Sequence, residues 1–464
     1  MTPQILQQDT ICAPATTHGG ALGIIRISGS HAIDTVTTIS TSDFSKYAEQ
    51  TIHYTHIIDS DESVIDEVMV SIFRSPRSYT GEDSAEISCH GSRYVMRRIL
   101  ERLVANGCRM AHPGEFTQRA YLNGKMDLSQ AEAVADLIAS TNKATHDMAL
   151  SQLRGHFSSE LSLLREQLLQ LTSLLELELD FSDHEDLEFA DRSELLSLAE
   201  RTDERIMQLS QSFKTGQALK QGIPVAIVGK TNVGKSTLLN RLLRDDRAIV
   251  SDIHGTTRDT IEDVIDIQGV TFRFIDTAGI RQTTDTIEQI GISRTYQAIE
   301  KARVVLWLID EPPIASDIAE MRSHCKGKSL IIVRNKIDKS TIDFTSHLSS
   351  LVNQLSTLEP QLISISAKTG ENMEALESAI YQAAGLPTLS ECDVIVTNAR
   401  HYESLERAHA SLQRVIDGLH SQLSGDLLAE DLRLTLSHLG DITGGQITPQ
   451  ETLNNIFSQF CVGK

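Results

Sequence analysis

The most restrictively spaced chemistry in this chain lies in Gly229-Lys230-Thr231-Asn232-Val233-Gly234-Lys235-Ser236. A loop with a glycine at each end can turn its N–H groups inward onto a phosphate chain, and a helix starting at its end aims its positive dipole end at the same point. Lys235 would neutralise the β- and γ-phosphates and Ser236 would hold Mg²⁺. Asn232, Val233, Gly234 and Thr237 are the remaining phosphate-contact candidates. Read instead as an ordinary Gly-rich turn, the stretch leaves Lys235 and Ser236 unexplained.

Three more motifs follow in order, Asp276-Thr277-Ala278-Gly279, Asn335-Lys336-Ile337-Asp338 and Ser366-Ala367-Lys368. Asp276 would hold the Mg²⁺ shell and the Gly279 N–H would meet the γ-phosphate. The Asp338 carboxylate can accept from both N1–H and N2–H₂ of guanine, an arrangement adenine does not offer. Asn335 and the Ala367 N–H are expected at the other edge of the base. Between the first two motifs, Gly255-Thr256-Thr257-Arg258-Asp259 places Thr257 as a second Mg²⁺ ligand in a loop ordered by the γ-phosphate. Many regulatory GTPases carry a water-orienting Gln after the second motif, whereas this chain has Ile280, which orients no water.

These residues need a scaffold that delivers each of them at a strand end. The apolar runs Pro224–Val228, Phe272–Ile275, Leu330–Arg334 and Leu362–Ile365 each immediately precede a motif, and Thr237–Leu243 reads as a helix. That is the pattern of a doubly wound, mostly parallel sheet with its ligand at the carboxyl ends of the strands. A GTP-binding α/β domain is therefore expected over 217–386. Before it, Gly23–Ile27, Val64–Phe73 and Ser84–Cys89 read as strands and Tyr94–Val104 as a helix, an α+β domain over 1–120. Arg26, alone in an apolar strand, reads as a solvated edge residue or as an anion ligand, and Pro113–Thr117 as a tight turn.

From Ser129 helical periodicity takes over. Ser129-Gln130-Ala131-Glu132 has the form of a capping box, and Leu161, Leu164, Leu168, Leu171 and Leu175 form a stripe expected to be core. Leu195–Phe213, the 405–419 stripe and Leu427–Leu439 extend the helical pattern. One all-α bundle, 121–216 plus 387–464, thus receives the nucleotide domain as an insertion. The acidic run Asp180–Asp191 reads as a solvated connection.

Composition narrows the partners. The 464 residues carry 63 acidic against 42 basic side chains, a net charge of −21, so broad contact with a phosphate backbone is disfavoured and a nucleic acid would be met through a local patch or a partner protein. The 6 cysteines show no Cys-x-x-Cys pair, which argues against structural zinc and suits a reducing compartment. No signal-peptide pattern and no apolar run of about 18 residues is evident, so a cytoplasmic chain without a membrane span is expected.

The four guanine motifs, Gly23–Gly29, Thr80–Asp83, Pro113–Phe116, Leu128–Leu137 and Cys461-Val462-Gly463-Lys464 together resemble the MnmE (TrmE) family, bacterial tRNA-modification GTPases of the TrmE-Era-EngA-like superfamily. The resemblance covers essentially the whole chain. It implies a K⁺-activated GTP hydrolase that, with the flavin protein MnmG, forms the 5-(carboxymethyl)aminomethyl-type modification at the wobble uridine of certain tRNAs. It implies a homodimer, a heterotetramer with MnmG, and contact with tRNA mainly through that complex. Asn232, Ser251, Ile253 and Thr256 match the family's K⁺ ligands, and Asp252, His254 and Gly255 complete the loop around the nucleotide. Glu288 matches the water-orienting acid, although by itself it reads as a solvated acid beside Asp285. The N-terminal domain would mediate dimerisation and bind a 5-formyl-tetrahydrofolate-type one-carbon donor through Arg26, Glu86, Lys125 and Lys464, with Cys461 as a candidate catalytic residue. Thr17-His18 departs from the Gly-Arg that often precedes the paired glycines, and Ser251 from the commoner Thr. A GTP-switched interaction protein, such as a ribosome-assembly factor, is the alternative; such a factor is expected to end in a basic RNA-binding module, and this chain does not.

Overall fold

The computed structural model describes residues 9–180, 192–246, 263–275, 296–339, 345–387 and 394–445, together with 453, 456–458, 460 and 463. Of the expected acidic connection Asp180–Asp191, Asp180 ends a helix and 181–191 lie outside them. The chain forms two compact units, one of Met1–Ala139, Ala149–Met207 and Glu403–Lys464, the other of Ser140–Met148 and Gln208–Tyr402.

In chain order the first elements are β1 (Ile11–Pro14), β2 (Leu22–Ser28), α1 (Ala32–Thr38), β3 (Thr51–Ile58), β4 (Val64–Phe73), β5 (Ser84–His90), α2 (Arg93–Ala105) and β6 (Arg109–Met110). Then come α3 (Glu115–Leu122), α4 (Leu128–Ala139), α5 (Lys143–Leu153), α6 (His156–Asp180) and α7 (Arg192–Gln221). They lead to β7 (Ile223–Val228), α8 (Lys235–Asp246), β8 (Asp263–Ile267), β9 (Val270–Phe274), β10 (Val304–Ile309) and α9 (Ala315–His324). The order closes with β11 (Ser329–Arg334), α10 (Thr345–Gln354), β12 (Gln361–Ser364), α11 (Met373–Ala383), α12 (Ala399–His420) and α13 (Gly425–Thr443).

The first sheet has the order β3-β4-β5-β2-β1-β6. Its strands pair antiparallel except β1 with β6, and Val68, Val70 and Ile72 alternate onto a core completed by Ile33, Met96, Ile99 and Leu103 of α1 and α2. β2 lies inside this sheet between β5 and β1, which corrects the reading of Arg26 as an edge residue. A charge in an interior strand needs a partner, and the register supplies one by placing Arg26 opposite Glu86. The expected turn at Pro113–Thr117 is shorter than read: it is Pro113-Gly114, closed by the Glu115 N–H donating to His112 O. Gly114, at φ 69°, caps α3, so Glu115, Phe116 and Thr117 are already helical.

α4 shows a second local correction. Its capping box is Asp127 with Gln130, two residues before the expected one. The Gln130 N–H donates to Asp127 Oδ1 at 2.9 Å, and the Asp127 N–H donates to Gln130 Oε1 at 2.9 Å. An Asp-x-x-Gln pair meets the same need as Ser-x-x-Glu, an acceptor for one free N–H at each end of the pair. The α6 stripe behaves as core, with all five leucines at 3 % exposure or less. Leu453, Phe457 and Phe460 pack on Leu128 and Ala131 of α4, and so fix the stretch that ends at Gly463 within this unit.

In the other unit the order is β12-β11-β10-β7-β9-β8, parallel except for the β8–β9 hairpin. All six residues of β10 are buried, because a parallel strand is covered on both faces. Val304, Leu306 and Leu308 face one core, while Val305, Trp307 and Ile309 face the other.

In the same unit as the first sheet, Arg119 is 3 % exposed and bonds Asp9, Glu82 and Glu115; Arg109 of β6 holds Asp9 and Glu115 as well. Burial alone would raise the Glu115 carboxyl, but the Arg109 hydrogen bond, the His112 N–H and the Arg119 charge offset it and hold Glu115 below its ordinary value. The associated stability is complete above the unfolded value, about 4.3, and is lost as pH falls through the lower folded value. Glu115→Gln should lose about 3 kcal/mol at pH 7. Its deficit against the parent should shrink between pH 5 and pH 3 in urea melts, and a deficit independent of pH would show that the carboxylate charge is not what matters.

Candidate functional site

The phosphate loop joins β7 to α8, and its backbone explains its glycines. A Cβ on Gly229, at φ 151°, would lie 2.4 Å from the Leu308 carbonyl oxygen; one on Gly234, at φ 103°, would lie 2.3 Å from Asn335 Nδ2. Both positions therefore need glycine. Asn232 itself sits at φ 64°, a conformation asparagine tolerates. Lys235 Nζ donates to the carbonyl oxygens of Gly229 at 2.6 Å and Lys230 at 2.8 Å, and burial lowers the pKa of its ammonium. A partly desolvated cation ringed by loop carbonyls favours an anionic ligand.

Asn335, 4 % exposed, is the junction of the site. Its N–H bonds the Ile309 oxygen at the end of β10, its Nδ2 donates to Val233 O at 2.8 Å, and its Oδ1 accepts the Ala367 N–H at 3.0 Å. One side chain thus ties the phosphate loop to the loop after β12. Ser366 Oγ donates to Asp338 Oδ1 at 2.7 Å, which orients that carboxylate. Lys336 Nζ bridges Asn232 O at 2.6 Å and Asp310 Oδ2 at 2.7 Å. Asp310 was not singled out in the sequence. Its only signal there was an acid directly after the apolar β10.

The structure therefore brings together Asn232, Val233, Gly234, Lys235, Asn335, Lys336, Asp338, Ser366 and Ala367, with Ser236 and Thr237 opening α8. Thr257, the rest of the 251–257 loop, Asp276–Gly279, Glu288, Cys461 and Lys464 lie outside the described residues.

In the first unit Arg26 Nε and Nη2 both donate to Glu86 Oε1, at 2.9 and 2.8 Å. Arg26 Nη1 donates to Gly463 O at 3.3 Å, and its guanidinium carbon lies 5.4 Å from the Tyr79 ring centre and 5.8 Å from that of Phe116. The Tyr79 hydroxyl is 2.9 Å from Thr117 Oγ1, and burial raises its pKa. Lys125 Nζ instead donates to Pro76 O at 2.9 Å. A Cβ on Gly463, at φ 97°, would meet Pro14 O at 2.2 Å. Tyr79 was not singled out in the sequence, and Phe116 entered only as the end of the Pro113–Phe116 stretch, with no contact to Arg26 foreseen.

Asp338→Asn should weaken GTP and GDP and admit xanthine nucleotides, because the amide donates where the carboxylate accepted. Ser366→Ala, which removes the hydrogen bond that aims Asp338, should weaken GDP about tenfold and leave the guanine preference intact. Competition with a fluorescent guanine nucleotide measures both; unchanged base preference in Asp338→Asn would overturn the assignment.

Comparison with known families agrees with this geometry. Residues 10–125 match the model described as the GTP-binding protein TrmE N-terminus, and residues 128–461 match the MnmE helical domain. The chain is 52% identical over 502 residues to the tRNA modification GTPase MnmE of Phocaeicola vulgatus, covering 99% of this chain and 100% of that protein. It is 53% identical over 468 residues to that of Bacteroides fragilis, at 99% and 100% coverage. Among solved structures, the G domain of the Thermotoga maritima FeoB iron transporter aligns with 24% identity over 35% of this chain and 98% of that one, at a TM-score of 0.26, too weak a likeness to carry weight. With full-length identity above half, and with the guanine loops braced around one asparagine, this chain belongs to the MnmE family of tRNA modification GTPases.

Proposed function

We propose that the chain is a K⁺-activated GTP hydrolase that works as a homodimer with MnmG, in the cytoplasm, to form the aminomethyl-type modification at the wobble uridine of certain tRNAs. In this reading 217–386 is the catalytic nucleotide domain, 121–216 and 387–464 are its helical support, and 1–120 is the folate-binding and dimerisation domain. The observation that carries it is the Asn335 junction, which holds the phosphate loop and the base-reading loops in one frame. Among the described residues no helix is long and apolar enough to cross a membrane.

The residues present fit the ions. Ser236 opens α8 with a hydroxyl at the helix N-terminus and, with Thr257, would hold Mg²⁺. Asn232, with Ser251, Ile253 and Thr256, would hold K⁺, and the Lys336 bond to the Asn232 carbonyl supports this by fixing that residue's backbone. When bound, K⁺ supplies positive charge beside the transferring phosphoryl group, the office an arginine finger performs elsewhere. Lys235 then screens the phosphate oxygens, Asp338 selects guanine, and Glu288 orients the attacking water that Ile280 does not hold.

The Arg26 site suits a folate by the chemistry of its donors. Arg26 offers a cation to a carboxylate-bearing ligand and Glu86 an acceptor to a pterin edge, while Lys125, whose ammonium bonds Pro76 O, and Lys464 are the further cations that this reading assigns. The paired Arg26 and Glu86 side chains are 21% and 27% exposed, reachable from solvent yet pre-oriented by each other. A 5-formyl-tetrahydrofolate-type donor, when bound, would supply the one-carbon unit, with Cys461 as the candidate reactive side chain of that site.

GTP turnover should be severalfold or more faster in K⁺ than in Na⁺ at equal ionic strength; equal turnover in both salts would remove the K⁺ proposal. Glu288→Ala should leave GTP affinity within a few-fold while slowing single-turnover hydrolysis about 10²-fold or more. Hydrolysis at the parental rate in saturating K⁺ would reduce Glu288 to a solvated acid.

A further inference from the structure

Two adjacent carbonyl oxygens of the phosphate loop are gripped by two adjacent side chains of the base-reading motif. Val233 O accepts from Asn335 Nδ2 at 2.8 Å, and Asn232 O accepts from Lys336 Nζ at 2.6 Å. The second grip has a partner of its own, since the same ammonium lies 2.7 Å from Asp310 Oδ2. Asp310 directly follows β10, which lies inside the sheet between β11 and β7 and has all six residues buried. The acid is therefore mounted on the end of an interior strand. The lysine that it holds sits at φ 64°, a left-handed conformation that a lysine keeps only where its surroundings impose it.

Holding a carbonyl also aims the amide behind it. In a trans peptide the C=O and N–H of one plane point in opposite directions. Asn232 O shares its plane with the Val233 N–H, and Val233 O shares its plane with the Gly234 N–H. With both oxygens drawn to the Asn335 and Lys336 side chains, the two N–H groups are turned away from those side chains, as a loop that cradles phosphates requires. Asn335 grips only the second of these planes. The first depends on Lys336, whose ammonium is 36% exposed and would otherwise be free to swing into water.

We propose that Asp310 is a positioning residue for the nucleotide's phosphates: by holding the Lys336 ammonium on Asn232 O, it keeps the Val233 N–H aimed at them. This rests on the guanine-nucleotide site and on none of the ion, folate or partner details of the proposed function. Asp310 lies outside all four nucleotide motifs, so the end of β10 is part of the phosphate-binding frame.

The test uses the full chain with Mg²⁺ and compares GDP with guanosine, which offers the base and no phosphate. Asp310→Ala should weaken GDP about threefold to tenfold, the range for a charge-assisted hydrogen bond that water partly screens. Guanosine affinity, guanine preference and Tm should stay at parental values. Glu311→Ala, which removes the exposed acid next in sequence, should match the parent. In a Lys336→Met background Asp310→Ala should add nothing, because the acid acts only through that ammonium. Parental GDP affinity in Asp310→Ala overturns the inference alone. So does guanosine weakened by the same factor as GDP, which would put the effect in the base loops or the fold. An equal loss in Glu311→Ala, which would make the effect one of net charge, and a double variant whose losses multiply also overturn it. A parent that binds GDP no more tightly than guanosine overturns the phosphate-loop reading and this inference with it, which separates the two failures.

Discussion

The nucleotide unit depends on one buried amide. Asn335 spends its side-chain donor on the phosphate loop and its acceptor on the loop after β12, while its own N–H is fixed to the end of β10. Three segments far apart in sequence are thereby set at hydrogen-bond distance without a metal or a disulfide. An aspartate there would lack the donor, and a glutamine would push the amide one methylene further into Gly234, where a Cβ would already stand 2.3 Å from Asn335 Nδ2. Glycine at 234 and asparagine at 335 are two halves of one steric requirement.

The first unit solves a different problem, that of a cation in an interior strand. Arg26 is matched by Glu86 across the ladder, flanked by two aromatic rings and met by the Gly463 carbonyl. None of these partners lies near it in sequence. Arg119 of α3 and Arg109 of β6 are held the same way by Asp9, Glu82 and Glu115. Buried charges of this kind do little for net stability, but each fixes which segment must meet which.

What was legible in the sequence was what repeats at short range. The apolar runs before the guanine motifs became β7, β9, β11 and β12, and the α6 leucine stripe became core. The long-range pairings were not legible. Arg26 read as an edge residue because nothing local reveals that β2 lies between β5 and β1. The α4 cap was misplaced by two residues because Asp127-x-x-Gln130 and Ser129-x-x-Glu132 are equally plausible boxes, and only the start of the helix chooses between them. That 140–148 shares a unit with 208–402 was not read from the sequence, where 121–216 formed one helical stretch. The brace on Asn232 was hidden because Lys336 Nζ reaches a backbone carbonyl, which no motif records, and Asp310 acts only by holding that ammonium.

The Arg26 to Gly463 contact joins residues 437 positions apart, and this orders events during synthesis. The first sheet leaves the ribosome early and can form its ladder, with Arg26 already satisfied by Glu86, before the nucleotide domain exists. Residues 453–463 are made last, and only then can Phe457 and Phe460 seat on α4 and the Gly463 carbonyl meet the guanidinium. Glu86 pairs with the half-buried guanidinium inside the sheet's own ladder, so that charge has a partner before the C-terminal stretch is made.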